Sequence, residues 1–414
     1  MKKSKSSPPR NLDDSGNSTK TISFDLTFEI LSILPTKSII RFQSVSKLWF
    51  SIIRSKEFVD SFLTRSKTRP RLLFTFKHLD SDKLFIYSAP DHDNGKSSPG
   101  IARHDMTISN FVNYIRSPPV NGFVCCTRGS SIAVCNPTTR QIVKLPDVVT
   151  NENYMHVRLG YDPVEDQYKV LLVVMMFDGY RTDTDQEYFV FTLSSQQKEW
   201  RKIENTTGET YHMVYGGICI DGAIYYGVSQ SIIVKFDVRS EKMEFIQAHE
   251  VSHIVPPYYS TLLYLSSDMI RMENHSNEEV RFWILEDAEK LRVSHMACDV
   301  WDDSLGKYVR AKEEIHTGKL MGIYPRLQSS KYKPFSVCVY HFNKVGLKKT
   351  EIQGSNDDDI RFRCGIGMRT HEILSFGGYI ENIRFLRGVF MVSLAFSLLF
   401  MPCFADKQQF RRFS

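Results

Sequence analysis

The sequence predicts a multidomain protein: a small all-α module at the N-terminus, followed by an all-β, propeller-like domain of about six blades. Three observations predict this fold class. Apolar residues recur at helical spacing between residues 22 and 66, the period becomes alternating from Arg71 onward, and strand–turn–strand copies then recur along the chain. Residues 388–405 carry no charge and are expected to form a C-terminal apolar helix.

The composition is that of a globular protein. Of the 414 residues, 42% are hydrophobic and 24% are charged, which excludes wholesale disorder. Residues 1–21 carry five basic and two acidic residues and are expected to be a disordered tail, which leaves +3 of the net charge of +6 for the rest of the chain. This excess is too small for a basic nucleic-acid-binding domain, so no nucleic acid partner is predicted.

The cysteines and the N-terminus indicate the compartment. The eight cysteines form no Cys-x-x-Cys pair and lie mostly inside apolar runs, as reduced cysteines do. The basic, polar N-terminus lacks the apolar core of a secretory signal peptide. The sequence therefore predicts a protein of the cytoplasm, the nucleus or both.

Residues 22–66 are predicted to form four short helices. Pro35 ends the first, Thr36 or Ser38 is expected to cap the second, and Ser55 is expected to cap the fourth. The third is expected to bury one apolar face, made of Val45, Leu48, Trp49, Ile52 and Ile53. A module of about 40 residues buries too little surface to be stable alone, so it needs a partner or caps the next domain.

The order of residues in this module resembles an F-box. The resemblance rests on Leu34-Pro35, Lys37-Ser38, Arg41-Phe42 and Val45-Ser46-Lys47 with Trp49, which stand at family spacing. Ser23 and Ser44 depart from the pattern, which often has proline and cysteine there. An F-box implies docking on a Skp-type linker protein and, through it, on a cullin–RING ubiquitin ligase. The side chains expected to contact the linker are Leu26, Ile30, Leu34, Pro35, Ile39, Phe42, Val45 and Trp49.

The β region is predicted from five strand–turn–strand copies. Their anchors are separated by 57, 44, 48 and 57 residues and are Asn136, Leu193, Asp237, Leu285 and Phe342. The mean of about 51 residues is close to the roughly 50-residue period of kelch-type blades, so residues 71–386 hold about six units. A closed ring leaves few exposed strand edges. A β-sandwich or a pair of β domains is the alternative.

The same region resembles the F-box-associated interaction domain of a large plant family, except between residues 294 and 332. The motifs that carry the resemblance are 136–140 with Leu145-Pro146, 160–163 with 166–170, 217–226, 236–241 and 285–287. The expected domains are therefore a tail at 1–21, an F-box at 22–66, an F-box-associated β domain at 70–387 and an apolar extension at 388–414.

Together the two resemblances imply a substrate-recognition adaptor of a Skp–cullin–F-box ubiquitin ligase, with no catalytic residue, cofactor or metal of its own. The β domain would bind the target protein, whose identity the sequence does not predict. The adaptor would raise the rate of ubiquitin transfer by holding lysines of the target near a ubiquitin thioester on another subunit.

One string of residues favours an enzyme instead. His249-Glu250-Val251-Ser252-His253 satisfies the His-Glu-x-x-His pattern, which binds zinc when it lies on a helix. Here a predicted strand, Met243–Ile246, precedes it, and Pro256-Pro257 would break a helix within a turn. A zinc-dependent hydrolase on a β-propeller that uses His249 and His253 is therefore the alternative function.

Two further segments have two interpretations each. Asp178, Asp183, Asp185 and Glu187 surround an expected hairpin tip, which is either a solvated turn or a cation site. Residues 388–405 form either a membrane anchor or a helix packed on the β domain, because 18 helical residues span only about 27 Å.

Overall fold

The computed structural model describes two compact units, Met1–Phe58 and Val59–Ser414. The residues that it describes are 22–78, 83–90, 103–109, 114–115, 117–148, 154–177, 184–193, 199–205, 210–211, 214–228, 232–247, 261–266, 269–276, 279–287, 290–296, 301–302, 307–308, 311–315, 319–323, 326–327, 336–341, 344–351 and 371–386.

Four helices follow one another at the N-terminus: α1 (Phe24–Ile33), α2 (Thr36–Phe42), α3 (Lys47–Arg54) and α4 (Lys56–Lys67). Serine hydroxyls cap three of them. Ser23 accepts a hydrogen bond from the Leu26 amide at 3.4 Å, and Ser46 accepts one from the Trp49 amide at 3.1 Å. Ser55 caps α4 by accepting from the Phe58 amide at 3.2 Å, as predicted.

The start of α2 differs from the prediction. This helix begins at Thr36, with Pro35 in the N-cap position and no side-chain cap, so the predicted cap at Thr36 or Ser38 is wrong. The Pro35 carbonyl oxygen accepts from the amides of Ser38 at 2.8 Å and Ile39 at 3.1 Å. The backbone of Pro35 therefore starts the helix and ends the one before it, since its ring fixes φ near the helical value.

The core of the first unit is small and apolar. Leu31 and Ile39 are fully buried, and Ile52, Ile53 and Phe58 are nearly so. The predicted apolar face of α3 is therefore divided, because only its C-terminal part is buried. Val45 and Leu48, which were expected to be buried with it, are exposed.

The β region contains 27 described strands: β1 (Arg71–His78), β2 (Lys83–Pro90), β3 (Arg103–Ser109), β4 (Tyr114–Ile115), β5 (Val124–Arg128), β6 (Ser131–Asn136), β7 (Gln141–Lys144), β8 (Tyr154–Asp162), β9 (Gln167–Phe177), β10 (Thr184–Thr192), β11 (Arg201–Ile203), β12 (Tyr215–Ile220), β13 (Ala223–Gly227), β14 (Ile232–Asp237), β15 (Met243–Gln247), β16 (Thr261–Ser266), β17 (Met269–Ser276), β18 (Glu279–Asp287), β19 (Lys290–Met296), β20 (Trp301–Asp302), β21 (Lys307–Tyr308), β22 (Ala311–Ile315), β23 (Lys319–Ile323), β24 (Arg326–Leu327), β25 (Ser336–His341), β26 (Lys344–Glu351) and β27 (His371–Tyr379).

The strands assemble into antiparallel sheets of chain neighbours. Numbered by the position of their first long strand in the chain, the first four sheets are β24-β27-β1-β2-β3, β4-β5-β6-β7, β8-β9-β10-β11 and β12-β13-β14-β15. The sheets that follow are β16-β17-β18-β19, the two-stranded β20-β21 and β22-β23-β25-β26. A series of small antiparallel sheets along the chain is the architecture of a β-propeller. The coarse prediction, a helical module followed by a propeller, is confirmed, while the number of blades stays a prediction.

The last described strand belongs to the first sheet. β27 pairs with β1, with Tyr379 opposite Arg71 and Ile373 opposite Phe76. The two ends of the β region are thus hydrogen-bonded to each other. This closing strand ends at Tyr379, and residues 380–386 follow it outside the ladder.

The repeat found in the sequence has a simple structural meaning. Asn136 and Asp237 end the third strands of their sheets, Leu193 directly follows the third strand of its sheet, and Leu285 lies within β18, which is also a third strand. Phe342 lies outside the described residues, between β25 and β26 in the chain. Each copy is therefore the third strand, turn and fourth strand of one sheet.

Apolar clusters join successive sheets. Leu73, Ile86 and Met106 of the first sheet pack with Val124 and Cys126 of the second. The second packs against the third through residues that include Cys125, Val134, Val157 and Leu172, and the third against the fourth through Leu171, Tyr188, Tyr226 and Phe236. Alternate residues of a central strand thus face different neighbouring sheets.

The four cysteines whose side chains are described are free thiols. Cys125, Cys126 and Cys135 are buried in the sheets, and Cys219 is partly exposed. Burial raises the pKa of Cys219 to about 12 and that of Cys125 further. The thiols of Cys125 and Cys219 therefore stay protonated at neutral pH, as structural cysteines do.

Several predicted features lie outside the described residues. They are the tail at 1–21, the side chains of Asp178, Asp183 and Asp185, the histidines His249 and His253, and the apolar segment 388–405. Among the helices that the structure describes, none combines the length and the apolar character needed to cross a membrane. Within the same described ranges, no three His, Cys, Asp or Glu side chains are grouped as metal ligands.

Candidate partner-docking surface and the turns of the β domain

Exposed apolar side chains are concentrated in the first unit. Of eight large hydrophobic residues that are exposed in the described part of the chain, only Val164 belongs to the β region. The other seven are Ile22, Phe24, Leu26, Ile33, Val45, Leu48 and Phe50. Seven such residues within 29 positions form a candidate protein interaction surface.

The eight side chains that were predicted to contact the linker differ in their solvent exposure. Leu26 and Val45 are 50% and 57% exposed, and Pro35 is also exposed. Ile39 is fully buried, so it belongs to the core of this unit rather than to its surface. The remaining four are half-buried and lie at the margin: Ile30, Leu34, Phe42 and Trp49.

Sequence reasoning missed five of the seven exposed apolar residues: Ile22, Phe24, Ile33, Leu48 and Phe50. Ile33 is 81% exposed, and Leu48 and Phe50 are each more than 40% exposed. Ile33 follows Leu26 by seven residues, which is two helical turns, so both lie on one face of α1. That spacing was a usable signal, but helical periodicity alone cannot separate an exposed apolar face from a buried one.

Aromatic pairs hold this surface in shape. The rings of Phe42 and Trp49 meet edge to face with centroids 5.0 Å apart, which ties α2 to α3. The Arg54 guanidinium lies over the Phe50 ring at 4.5 Å from its centroid. Phe28 packs edge to face on Phe58 at 5.1 Å beneath the surface.

In the β region, the motifs shared with the F-box-associated domain are tight turns. Asn136, Asp162 and Asp237 each begin a turn in which the side-chain oxygen accepts backbone hydrogen bonds. The donors are the amides of Thr138 at 3.0 Å and Val164 at 2.9 Å in the first two turns. Such side chains stabilise turns by replacing a backbone acceptor.

The fifth residue of each turn has a left-handed backbone. The φ angles are +60° at Arg140, +54° at Asp166 and +58° at Glu241. A non-glycine residue in this conformation is strained by roughly 1–2 kcal/mol. In each of the three turns, the side chain of the strained residue binds another segment of the β region.

These three contacts act as latches between elements distant in sequence. Arg140 donates from Nε to the Asp105 carbonyl oxygen of β3 at 2.9 Å. Asp166 accepts from Arg384 in the segment after β27. Glu241 binds Lys169 of β9 at 2.8 Å and Arg201 of β11 at 2.7 Å. The three motifs thus hold the propeller together and offer no grouped catalytic side chains.

Electrostatics strengthen the Glu241 latch. Burial alone would raise the pKa of Glu241, but hydrogen bonds from Arg201 and Lys169 outweigh it and hold this pKa below its ordinary value. The neighbouring Asp237 carboxylate behaves in the same way, since burial is outweighed by hydrogen bonds from Ser240 and Arg239. Both side chains are therefore charged acceptors at neutral pH.

The segment after β27 is held by buried amides. Asn136 donates from Nδ2 to the carbonyl oxygens of Asn382 and Arg384, each at 2.9 Å. Asn382 donates in turn to the Asn121 carbonyl oxygen at 2.6 Å. Gln141 forms two hydrogen bonds with the backbone of Leu386. We call residues 380–386 the C-terminal strap.

The acidic cluster near residues 178–187 is only partly described. Glu187 lies on β10 and accepts from Lys202 of β11, so it stabilises a strand pair. This contact gives Glu187 a structural role.

A four-helix module followed in the chain by a series of short antiparallel sheets defines the class: a β-propeller protein with an N-terminal helical module. Comparison with known proteins identifies the family. Residues 22–61 match the F-box domain, and residues 71–376 match the F-box associated beta propeller domain. The chain belongs to the plant F-box proteins that carry this propeller.

The chain is similar to curated Arabidopsis thaliana proteins over nearly its whole length. It is 33% identical to F-box protein At1g30790, with 88% of this chain and 98% of that protein covered. It is 32% identical to F-box protein DOR, with coverages of 88% and 94%. A solved structure of a luciferin-regenerating enzyme aligns with a TM-score of 0.36 at 9% identity, over 76% of this chain and 94% of that one, which is too weak to carry an argument.

Proposed function

We propose that this chain is the substrate-recognition adaptor of a Skp–cullin–F-box ubiquitin ligase. The F-box would dock on a Skp-type linker, and the β domain would bind the protein to be ubiquitinated. Membership of the F-box family supports the proposal. The observation that carries it is the concentration of exposed apolar side chains on residues 22–50.

The docking surface proposed here combines sequence and structure. Its centre consists of Leu26, Ile33, Pro35, Val45, Leu48 and Phe50, which are exposed. Phe42 and Trp49 brace it through their edge-to-face contact. Burying each exposed aliphatic side chain against a partner would contribute roughly 1–2 kcal/mol, which suffices for a stable complex when several act together.

The β domain supplies a rigid frame for target recognition. We propose that its six sheets of four or five strands are six blades, and that the domain occupies residues 70–387. The latches at Arg140, Asp166 and Glu241 connect distant parts of the ring. A rigid frame lowers the entropy lost when loops bind a target.

The adaptor needs no catalytic group of its own. It would raise the rate of ubiquitin transfer by fixing a target lysine near a thioester on another subunit, which is catalysis by proximity. None of the described residues provides an observation in favour of the zinc hydrolase. A metal analysis of the purified full chain tests that alternative directly, since His249 and His253 would hold zinc at one equivalent.

A matched pair of substitutions tests the docking surface. Val45→Asp and Val164→Asp make the same change at two exposed valines, one on the proposed surface and one on the β region. We expect Val45→Asp to weaken binding of a purified Skp-type linker to the full chain at least tenfold, because a carboxylate would be desolvated. Val164→Asp should leave the affinity unchanged. Equal affinities of both variants and the unaltered chain would exclude this surface.

A further inference from the structure

The helices that carry the docking surface have an unbalanced charge. Residues 36–56 contain five basic residues and no acidic residue. The five are Lys37, Arg41, Lys47, Arg54 and Lys56, and the structure places every one of them at the exposed surface of the unit. This stretch of 21 residues has a net charge of +5, while residues 57–414 and 22–35 together are net negative.

Two of the basic residues lie beside exposed apolar ones. Lys47 stands between Val45 and Leu48 in the chain, at the start of α3. Arg54 lies across the ring of Phe50, so a partner that covers this ring also meets the guanidinium. A partner of the apolar surface would therefore come within a few ångströms of these cations.

The first helix has the opposite sign. Its only charged residues, Asp25 and Glu29, are both acidic and exposed. The docking surface is thus polarised, with a weakly acidic α1 and a strongly basic α2–α3 region. Such a pattern fixes the orientation of a charged partner as well as its sign.

We infer that the partner of this surface presents carboxylates opposite α2 and α3, so that the occupant is an acidic protein. The inference rests on the proposed function and specifies the chemistry of the linker's docking face: an apolar centre bordered by Asp and Glu side chains. The cations steer the partner during encounter, and the apolar contacts then hold it.

Electrostatic steering and apolar burial contribute to binding in different ways. Exposed charges interact over about 8 Å at physiological salt, so a basic patch accelerates association more than it slows dissociation. Steered association depends steeply on ionic strength, whereas apolar burial does not. The inference therefore concerns the association rate constant, while the proposed docking surface concerns the affinity at any salt concentration.

The test uses charge reversal in the full chain. Arg41→Glu combined with Lys47→Glu is compared with Lys67→Glu combined with Arg69→Glu, an equal charge change at two exposed residues, the last of α4 and one just after it. Association and dissociation of a purified Skp-type linker are measured at low and high salt. At low salt the first pair should slow association at least tenfold and the second less than about twofold. The difference should largely vanish at high salt.

The outcomes distinguish the two proposals. If the unaltered chain binds no linker, the proposed function itself fails. If the chain binds the linker but both reversed pairs associate at the same rate as the unaltered chain, only the acidic-partner inference is overturned. Binding of a short DNA duplex or of phosphatidylserine vesicles in place of the linker, lost in the first pair alone, would also overturn it.

Discussion

Gly122 and Asn136 show how single residues of the β region act on distant parts of the chain. Gly122 has φ of +85°, and a Cβ atom there would lie 2.5 Å from the Ile380 carbonyl oxygen of the C-terminal strap. Asn136 is fully buried and holds the same strap by two side-chain hydrogen bonds. The residue type at both positions is therefore constrained by contacts with residues more than 240 positions away along the chain.

Gly122 can be tested against a glycine with the same backbone requirement. Gly129 has φ of +54°, and a Cβ atom there would meet nothing within 4 Å. We expect Gly129→Ala to lower the free energy of unfolding by about 1 kcal/mol through backbone strain. Gly122→Ala should lower it by about 2–4 kcal/mol, because a steric overlap is added. Urea unfolding measures both, and equal losses would show that the strap does not approach Gly122.

Asn136→Asp changes two hydrogen-bond donors into an acceptor with the same shape. The new carboxylate would face the carbonyl oxygens of Asn382 and Arg384, which now accept from Asn136. We expect a loss of about 3 kcal/mol or more, because a buried charge is left without donors on that side. An unchanged midpoint in urea unfolding at pH 7 would contradict the role assigned to this side chain.

At the scale of elements, the turns connect sheets as well as reversing the chain. Glu241 joins β9 and β11 of one sheet to the turn between β14 and β15 of the next. Its pKa is held below the ordinary value, since hydrogen bonds from Arg201 and Lys169 outweigh the effect of burial. The unfolded chain therefore takes up a proton at Glu241 at a higher pH than the folded protein does.

This latch should make stability depend on pH. The contribution of Glu241 is fully present above the unfolded pKa, near 4.5, and is lost as the pH falls through the lower folded value. Glu241→Gln should lower the free energy of unfolding by about 2 kcal/mol at pH 7 and by progressively less below pH 4.5.

The exposed pair between Lys235 and Glu244 serves as the control for Glu241. Glu244→Gln should cost less than about 0.5 kcal/mol at pH 7, because solvent screens an exposed pair. If urea unfolding shows equal losses for the two variants at every pH, Glu241 does not act as a latch.

At the scale of the whole molecule, the first and last segments of the β region determine how this region closes. β27 pairs with β1, and the strap continues from it to contacts with three earlier parts of the unit. Among them, Arg384 binds Asp166 in the turn between β8 and β9 and Asp60 in α4. Closure by a strand and closure by a strap are thus separable by truncation.

Two truncations separate the strap from the apolar extension. A chain ending at Arg387 keeps every contact of the strap, and we expect its β region to unfold at an unchanged urea concentration. A chain ending at Tyr379 loses the partners of Asn136 and Gln141 and should be destabilised by several kcal/mol or fail to fold. Destabilisation of the longer chain would show that residues 388–405 are structural, and loss of membrane recovery alone would identify an anchor.

Much of the fold was predictable because its signals are local. The four helices follow from apolar spacing, and the cap predicted at Ser55 is present. The repeat at Asn136, Leu193, Asp237 and Leu285 reflects one hairpin geometry, which recurs because each sheet ends in the same way. Family membership followed from these same motifs and was confirmed by comparison.

By itself, the sequence determined the helical module, the β repeat and the family, because periodicity, capping and turn chemistry act over a few residues. Only the tertiary structure decided that Ile39 is core while Val45 and Ile33 are surface, since all three have the same apolar character. It also decided that Glu241 is a latch and that Asn136 holds the C-terminal strap. Burial and long-range hydrogen bonds depend on which segments meet in space, and a local pattern does not contain that information.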